Sequence, residues 1–295
     1  MTAPSIDPGP PSPLAGYTAA QVRAAEAPLL AAGEPLMQRA AAALADEITA
    51  LLPQGSHGRA AASAPSDAAA TASAGATGIT REVPGDAAGR PLVVVLAGPG
   101  DNGGDALFAG SLLAGRGADV RIVATGTRLH EQGAAAARRA GATDLDPDAD
   151  PDAFARAVRE ADVIVDGILG IGAAASPALR GRSRELVART LGLLGPGWAA
   201  GAAGTRHPLV VAVDLPSGIS PDDGAVPDPV VLPADVTVTM GAVKAGLRVG
   251  PAVAYAGRVV LVDLGLGPAL ADVPPVVRPG RRHDLPERGN PMRYG

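Results

Sequence analysis

Six short runs rich in branched apolar residues punctuate the chain: "LVVVLA" at 92–97, "DVRIVA" at 119–124, "DVIVDG" at 162–167, "LVVAVD" at 209–214, "DVTVTM" at 235–240 and "RVVLVD" at 258–263. Near-continuous apolar runs of this length are the mark of strands buried on both faces. Segments with helical character lie between them, at Asp105–Gly115, His130–Ala140, Pro151–Arg159 and Ser183–Leu194. Such alternation predicts an α/β fold, a Rossmann-like three-layer sandwich in which a mainly parallel sheet carries helices on both faces. The last connection, "GAVKAGLRVGPAVAYAG", has no helical period and is expected to close the sheet edge irregularly.

Two N-terminal helices precede the first strand. Thr18 and Gln21 stand at capping-box spacing, and Pro35 suits the first turn of a helix in which Leu36, Ala40, Leu44, Ile48 and Leu51 form one apolar stripe. Other segments depart from this pattern. Residues 1–14 are rich in proline and are expected to be disordered, and 53–90 is a low-complexity insertion of alanine, glycine and serine. The insertion has too few large apolar side chains to offset its ordering entropy, so it reads as a flexible surface loop. The stretch 195–208 reads as a second long loop with Trp198 as its anchor, and the charged segment 275–295 as a loose tail. One domain, residues 15–274, remains.

Composition then removes several classes of function. Aromatic residues are 2% of the chain and the net charge is −5, which leaves little for stacking bases or attracting a phosphate backbone, so no nucleic-acid partner is expected. The absence of cysteine excludes disulfides, thiolate nucleophiles and cysteine-ligated metals. His57, His130, His207 and His283 are far apart in sequence and read as surface residues rather than ligands. With no signal-peptide pattern and no apolar run of about 18 residues, the expected setting is the cytoplasm, away from membranes.

The chemistry gathers at the ends of the apolar runs. "GPGDNGGDA" follows the first run and fits G-x-G-x-x-G at Gly98, Gly100 and Gly103. A nicotinamide dehydrogenase adds an acidic residue about 20 positions further on, at the end of the second strand. Here that strand runs into "TGTRLH", and the glycine loop itself holds carboxylates, which a pyrophosphate cradle avoids. An NAD-dependent oxidoreductase is disfavoured on both counts. Asp166 ends another strand, and Asp214 ends a third with Ser217 just beyond it. The carboxyl ends of parallel strands line one edge of the sheet, so Asn102, Asp105, Asp166, Asp214 and Ser217 are expected to converge. These hard oxygen donors suit a hard cation as well as a polar small molecule. Taken singly, Asp105 and Asp166 read equally as helix caps, and "DLPSG" as a plain turn set by Pro216 and Gly218. The conjunction of three glycine-flanked polar segments favours a site. Lys244 reads either as a group reaching substrate phosphates or as a solvated edge lysine, and stays outside the expected site.

Together the ordered motifs resemble the YjeF N-terminal domain family, the NAD(P)H-hydrate epimerases. The family pattern appears here as "GPGDNGGDA", "VDGILG", "VDLPSG" and "ADVTVTMGAVKAGL", and "YTAAQVRAAEAPLLAAGEPLMQRAA" is similar to the family's opening helices. Asp101 stands where the family has Asn, Ala106 where it has Gly, and Ala245 where it has Pro. The resemblance implies binding of the hydrated dinucleotides NADHX and NADPHX together with a potassium ion. It puts Asn102, Asp166 and Ser217 at the cation positions. Asp101, Asn102, Gly103, Gly104, Asp105, Gly170, Ile171, Gly172, Ala173, Ala174, Ala175, Ser176 and Asp214 fall at the substrate positions. The implied reaction interconverts the R and S hydrates at C6 of the nicotinamide ring. It feeds a separate ADP- or ATP-dependent dehydratase that takes only the S form, and this chain corresponds to the stand-alone form without that domain. A homodimer is the assembly the resemblance implies. With no histidine or cysteine near the motifs, a carboxylate is the natural acid–base group, Asp214 first and Asp105 second. The alternative is a non-catalytic ligand-binding or scaffolding module of the same fold.

Overall fold

The computed structural model describes residues 15–52, 89–195 and 208–278. The expectations for 1–14, for nearly all of the 53–90 insertion, for Trp198 and for most of the 275–295 tail lie outside the described residues, as do His57, His207 and His283. The chain opens with β1 (Gly16–Tyr17), α1 (Ala19–Ala31) and α2 (Leu36–Leu51). It continues through β2 (Leu92–Ala97), α3 (Asp101–Gly115), β3 (Asp119–Ala124), α4 (Glu131–Arg139), β4 (Thr143–Asp144), α5 (Pro151–Glu160) and β5 (Val163–Gly167). A 3-10 turn at Ile171–Ala173 leads to α6 (Gly181–Leu194), β6 (Leu209–Val213), β7 (Val236–Met240) and β8 (Val243–Lys244). A second 3-10 turn, Ala245–Leu247, precedes α7 (Val253–Ala256), β9 (Arg258–Val262) and α8 (Gly267–Leu270).

The six apolar runs are strands, and with β4 they form a seven-stranded sheet in the order β4-β3-β2-β5-β6-β7-β9, parallel throughout. Valine and isoleucine dominate because both faces are covered. One face packs Val93, Val95, Val165 and Val211 against Leu44 and Ile48 of α2 and Leu107 and Leu113 of α3. The other sets Val94, Leu96, Ile164 and Val210 against Phe154 of α5 and Leu186 of α6. Alternate residues of each strand thus feed opposite layers, the three-layer arrangement that the sequence predicts. Among the described residues, no helix is long and apolar enough to cross a membrane.

The capping box at α1 forms: Thr18 Oγ1 accepts from Gln21 N at 3.2 Å, and Thr18 N donates to Gln21 Oε1 at 2.9 Å. Four features differ from expectation. Helix α3 begins at Asp101, one turn ahead of Asp105, because its poor helix formers Gly103 and Gly104 are demanded by packing. A Cβ at Gly103 would lie 1.9 Å from Gly98 O, so only glycine lets the first turn sit on the strand end. The irregular connection after β7 contains β8, which pairs in parallel with β1, Tyr17 beside Lys244. The first part of the expected loose tail is fastened: Val276 N and Val277 N donate to Gly16 O at 3.0 and 3.2 Å. His130 is not a plain surface residue, since it caps α4 by accepting from Gly133 N and sets its ring edge-on to Phe108.

Candidate functional site

The chain winds from β2 through β3 to β4 and then returns to place β5 on the opposite side of β2. This reversal makes the β2–β5 boundary the topological switch point, where loops from neighbouring strand ends diverge and leave room for a ligand. Gly98 N donates to Gly167 O at 3.0 Å across it. The approach is close enough that a Cβ on Gly98 would meet Ile168 O at 2.0 Å. Gly98 and Gly103 of the apparent dinucleotide fingerprint therefore serve backbone packing, while a Cβ on Gly100 would meet nothing within 4 Å.

Two side-chain groups form on this scaffold. In the first, Asp166 is fully buried (0% exposed) and takes Ser217 N on Oδ2 at 2.8 Å and the Ser217 hydroxyl on Oδ1 at 2.6 Å. Ile168 N adds a donor to Oδ1 at 3.3 Å. Burial raises the Asp166 carboxyl above the usual range, although the Ser217 and Ile168 hydrogen bonds oppose that rise. Leu169 links this pair to Asn102: its N–H donates to Ser217 Oγ at 2.9 Å, and its carbonyl accepts from Asn102 Nδ2 at 2.9 Å. Asn102 Nδ2 also donates to Val213 O at 2.6 Å. The structure thus brings Asn102, Asp166 and Ser217 together around one backbone unit. Asp166 caps no helix; "DLPSG" does make the expected turn, with Ile219 N donating to Pro216 O at 3.4 Å and Gly218 at φ 111°, and Ser217 within it also binds Asp166. Among the described residues, no three histidine or carboxylate side chains gather as a metal site. What gathers is one carboxylate with neutral oxygens.

The second group is acidic. Asp214 sits at φ 68°, the only described non-glycine residue with positive φ, and a conformation of this kind costs on the order of 1 kcal/mol or more. Its N–H bonds Val238 O at 2.7 Å. Its Oδ1 accepts from Thr239 Oγ1 at 3.3 Å, from Met240 N at 3.1 Å and from the Lys244 ammonium. Asp105 is the fifth residue of α3 and 9% exposed, and its Oδ1 is buried without a hydrogen-bond partner. It caps nothing, because Gly100 holds the cap position. Burial drives the Asp105 carboxyl well above the usual range; Asp214, Asp101 and Glu26 push it further, and Lys244 pulls it partly back.

Of the other expected substrate positions, Asp101 is exposed in the first turn of α3, and Gly103 and Gly104 are buried behind it. Gly170–Ser176 runs beside them through the 3-10 turn, and a Cβ on Gly170 would lie 2.2 Å from Asn102 Oδ1.

Three charged residues around the acidic group were not expected there. Lys244 is neither solvated nor a free cation for phosphate: it is 1% exposed and paired with Asp214. From α1, Arg23 donates to Ile171 O, and Glu26 lies in the field of Lys244, Asp214 and Asp101. Burial raises the Glu26 carboxyl, with Lys244 opposing. Arg23 and Glu26 are three apart on a helix and so share a face, which is the one signal in the sequence that pairs them.

Comparison with known proteins agrees with this architecture. Residues 33–246 match the model of the family described as YjeF-related protein N-terminus. The NAD(P)H-hydrate epimerase of Clavibacter michiganensis is 46% identical over 267 residues, covering 90% of this chain and 96% of that protein. That of Microbacterium testaceum is 44% identical, covering 90% and 84%. The bifunctional NAD(P)H-hydrate repair enzyme Nnr of Mycobacterium tuberculosis is 35% identical, covering 87% of this chain and 43% of the longer protein. The crystal structure of the yeast protein YNL200c shares the fold, with a TM-score of 0.57 at 17% identity over 83% of this chain and 86% of that one. A family match across most of the chain, together with relatives this similar over nearly their whole length, makes the chain a member of the YjeF-related N-terminal family.

Proposed function

We infer that this chain interconverts the R and S epimers of hydrated NADH and NADPH at C6 of the reduced nicotinamide ring. The observation that carries this is the end-to-end match to an NAD(P)H-hydrate epimerase, 46% identical over 90% of this chain and 96% of the relative. Inversion at C6 proceeds either by departure and return of water or by ring opening and reclosure. Both routes need a group that gives and takes a proton beside C6. Asp214 and Asp105 are assigned that work. In support, both are nearly buried, both stand at the switch-point edge of the sheet, and each lies in the other's electrostatic field. The first turn of α3 and the Gly170–Ser176 segment are assigned to hold the dinucleotide.

Potassium is part of the proposal, with Asn102, Asp166 and Ser217 as its ligands. The donor chemistry fits, since one buried carboxylate and neutral oxygens suit a large, hard, singly charged ion better than a divalent one. When bound, the ion would supply positive charge to a site where carboxylates outnumber cations. The S epimer passes on to an ADP- or ATP-dependent dehydratase, a coupling in keeping with relatives named bifunctional repair enzymes. A cytoplasmic setting and a homodimer complete the proposal.

The test supplies purified protein with R-NADHX and an S-specific dehydratase and follows the return of NADH absorbance, with and without potassium. Faster return than in the enzyme-free control is expected, and more so with potassium. Tight ligand binding with no acceleration points instead to a binding module of the same fold.

A further inference from the structure

Lys244 is a buried cation at the site, 1% exposed, and nothing in the epimerase assignment uses it. Its ammonium has two acceptors, Asp214 Oδ1 and, at 2.7 Å, Met240 O. The backbone that carries it is held from outside the main sheet, by pairing of Gly16–Tyr17 with Val243–Lys244. Burying an ammonium is costly unless it is paired, and a buried pair is weak evidence for stability as such. Its placement therefore asks for another explanation.

The two catalytic carboxylates have opposite surroundings. All three of these donors to Asp214 reach Oδ1, and none of them reaches Oδ2. Asp105 has no donor on its buried Oδ1. The charged groups facing the pair are Asp101 on α3, Glu26 on α1 and Lys244 on β8, with Arg23 of α1 acting on Glu26. Carboxylates placed in contrasting environments divide acid from base work.

We propose that Lys244 is the positioning residue that makes this division: its ammonium grips Asp214 by Oδ1 and so aims Oδ2 to take a proton, and Asp105 is the group that gives one. The proposal rests on the epimerase assignment. In the dehydration route, the Asp105 proton passes to the C6 hydroxyl facing it. The C6–O bond breaks with its electron pair on oxygen, water leaves, and the ring-nitrogen lone pair forms the C6–N π bond. Water then adds to C6 from the other face, the π pair returns to nitrogen, and the proton lost by that water goes to Asp214 Oδ2. Solvent carries the proton from Asp214 back to Asp105, so the protein ends unchanged, and the reverse reaction retraces these steps.

Lys244→Gln keeps a donor toward Met240 O and Asp214 but removes the charge. Its kcat is expected to fall about 100-fold with little change in KM, and its pH profile to move to higher pH, because the positive charge that draws the Asp105 carboxyl down is gone. The chain has no cysteine, so Lys244→Cys alkylated with 2-bromoethylamine while unfolded, then refolded, regains an ammonium at this one position and is expected to recover activity. A folded Lys244→Gln protein with unchanged kcat, or with lowered kcat and an unmoved pH profile, overturns the proposal. A second measurement needs neither turnover nor a Lys244 variant. The 13C signal of the Asp105 carboxyl is expected to titrate above the exposed aspartates in the substrate-free wild type, and lower in Asp214→Asn. If Asp105 titrates with the exposed aspartates, the division is wrong even in an active epimerase. If it titrates as expected and no epimerisation occurs, the functional assignment is what fails.

Discussion

Replacing Asp105 by Asn is expected to stabilise the folded protein at neutral pH while removing most of its activity. The folded-state carboxyl of Asp105 is raised, chiefly by burial and then by Asp214, Asp101 and Glu26. An unfolded Asp releases its proton near pH 3.9. Below about that pH, both states hold the proton and Asp105 carries no pH-dependent penalty. As pH climbs past it, the unfolded chain ionises first, so stability is lost until pH passes the folded-state value, after which the deficit is constant. Asn carries no such deficit. Asp105 Oδ1 is a buried acceptor without a donor, a defect worth about 1–3 kcal/mol, and Asn leaves that in place while ending the repulsion of Asp105 by the three other carboxylates. The net gain is expected to be about 1–2 kcal/mol at pH 8, or about 3–6 °C in Tm for a domain of this size. Thermal unfolding of both proteins from pH 4 to 8 measures it, since the other carboxylates cancel in the difference. The two should nearly coincide at pH 4 and separate steadily above it. A pH-independent gap, or a less stable variant at pH 8, refutes the assignment of Asp105 as a buried, partnerless acid.

The glycine loop yields a contrast: Gly98→Ala and Gly103→Ala force a Cβ to within 2.0 and 1.9 Å of backbone oxygens and should each cost about 3 kcal/mol, as urea unfolding would report. Gly100→Ala, which meets nothing within 4 Å, should stay within about 0.5 kcal/mol of wild type. Gly170→Ala places its Cβ 2.2 Å from Asn102 Oδ1, so it should displace that amide and abolish any effect of potassium on turnover, seen as superimposable rates with and without the ion. Asp214→Asn should lose about 100-fold or more in kcat. It should also lose about 3 kcal/mol of stability, because it leaves Lys244 buried without a counter-charge.

The main sheet was largely legible because its strands are buried on both faces, and a doubly covered strand has little choice but a continuous apolar run. The Asn102, Asp166, Asp214 and Ser217 cluster was legible for a related reason, since strand ends in a parallel sheet share one edge. Elements governed by distant contacts were not. The start of α3 was hidden because Gly103 and Gly104 look like loop residues until the close backbone of Gly98 is known. The burial of Lys244 depends on β1, which joins β8 from the far end of the chain and leaves no periodic trace in "GAVKAGL". Short two-residue strands such as β1, β4 and β8 carry too few positions for any pattern to register.

The fingerprint glycines can now be separated from the chemistry they suggested. In a pyrophosphate site, the amides and dipole of a helix N-terminus meet the anion directly. Helix α3 places Asp101 in that first turn and Asp105 one turn further in, so its own side chains bring the negative charge. Asp101 is exposed and sits where the helix dipole favours an anion. Asp105 is buried, beyond the reach of the dipole's strongest effect, and faces other carboxylates. Packing alone explains Gly98 and Gly103, but no packing requirement explains a carboxylate with a buried, partnerless oxygen at position 105. An apolar residue there would fold better, which supports the proposal that the acid serves the reaction, with the strained Asp214, paired with Lys244, as its proposed counterpart.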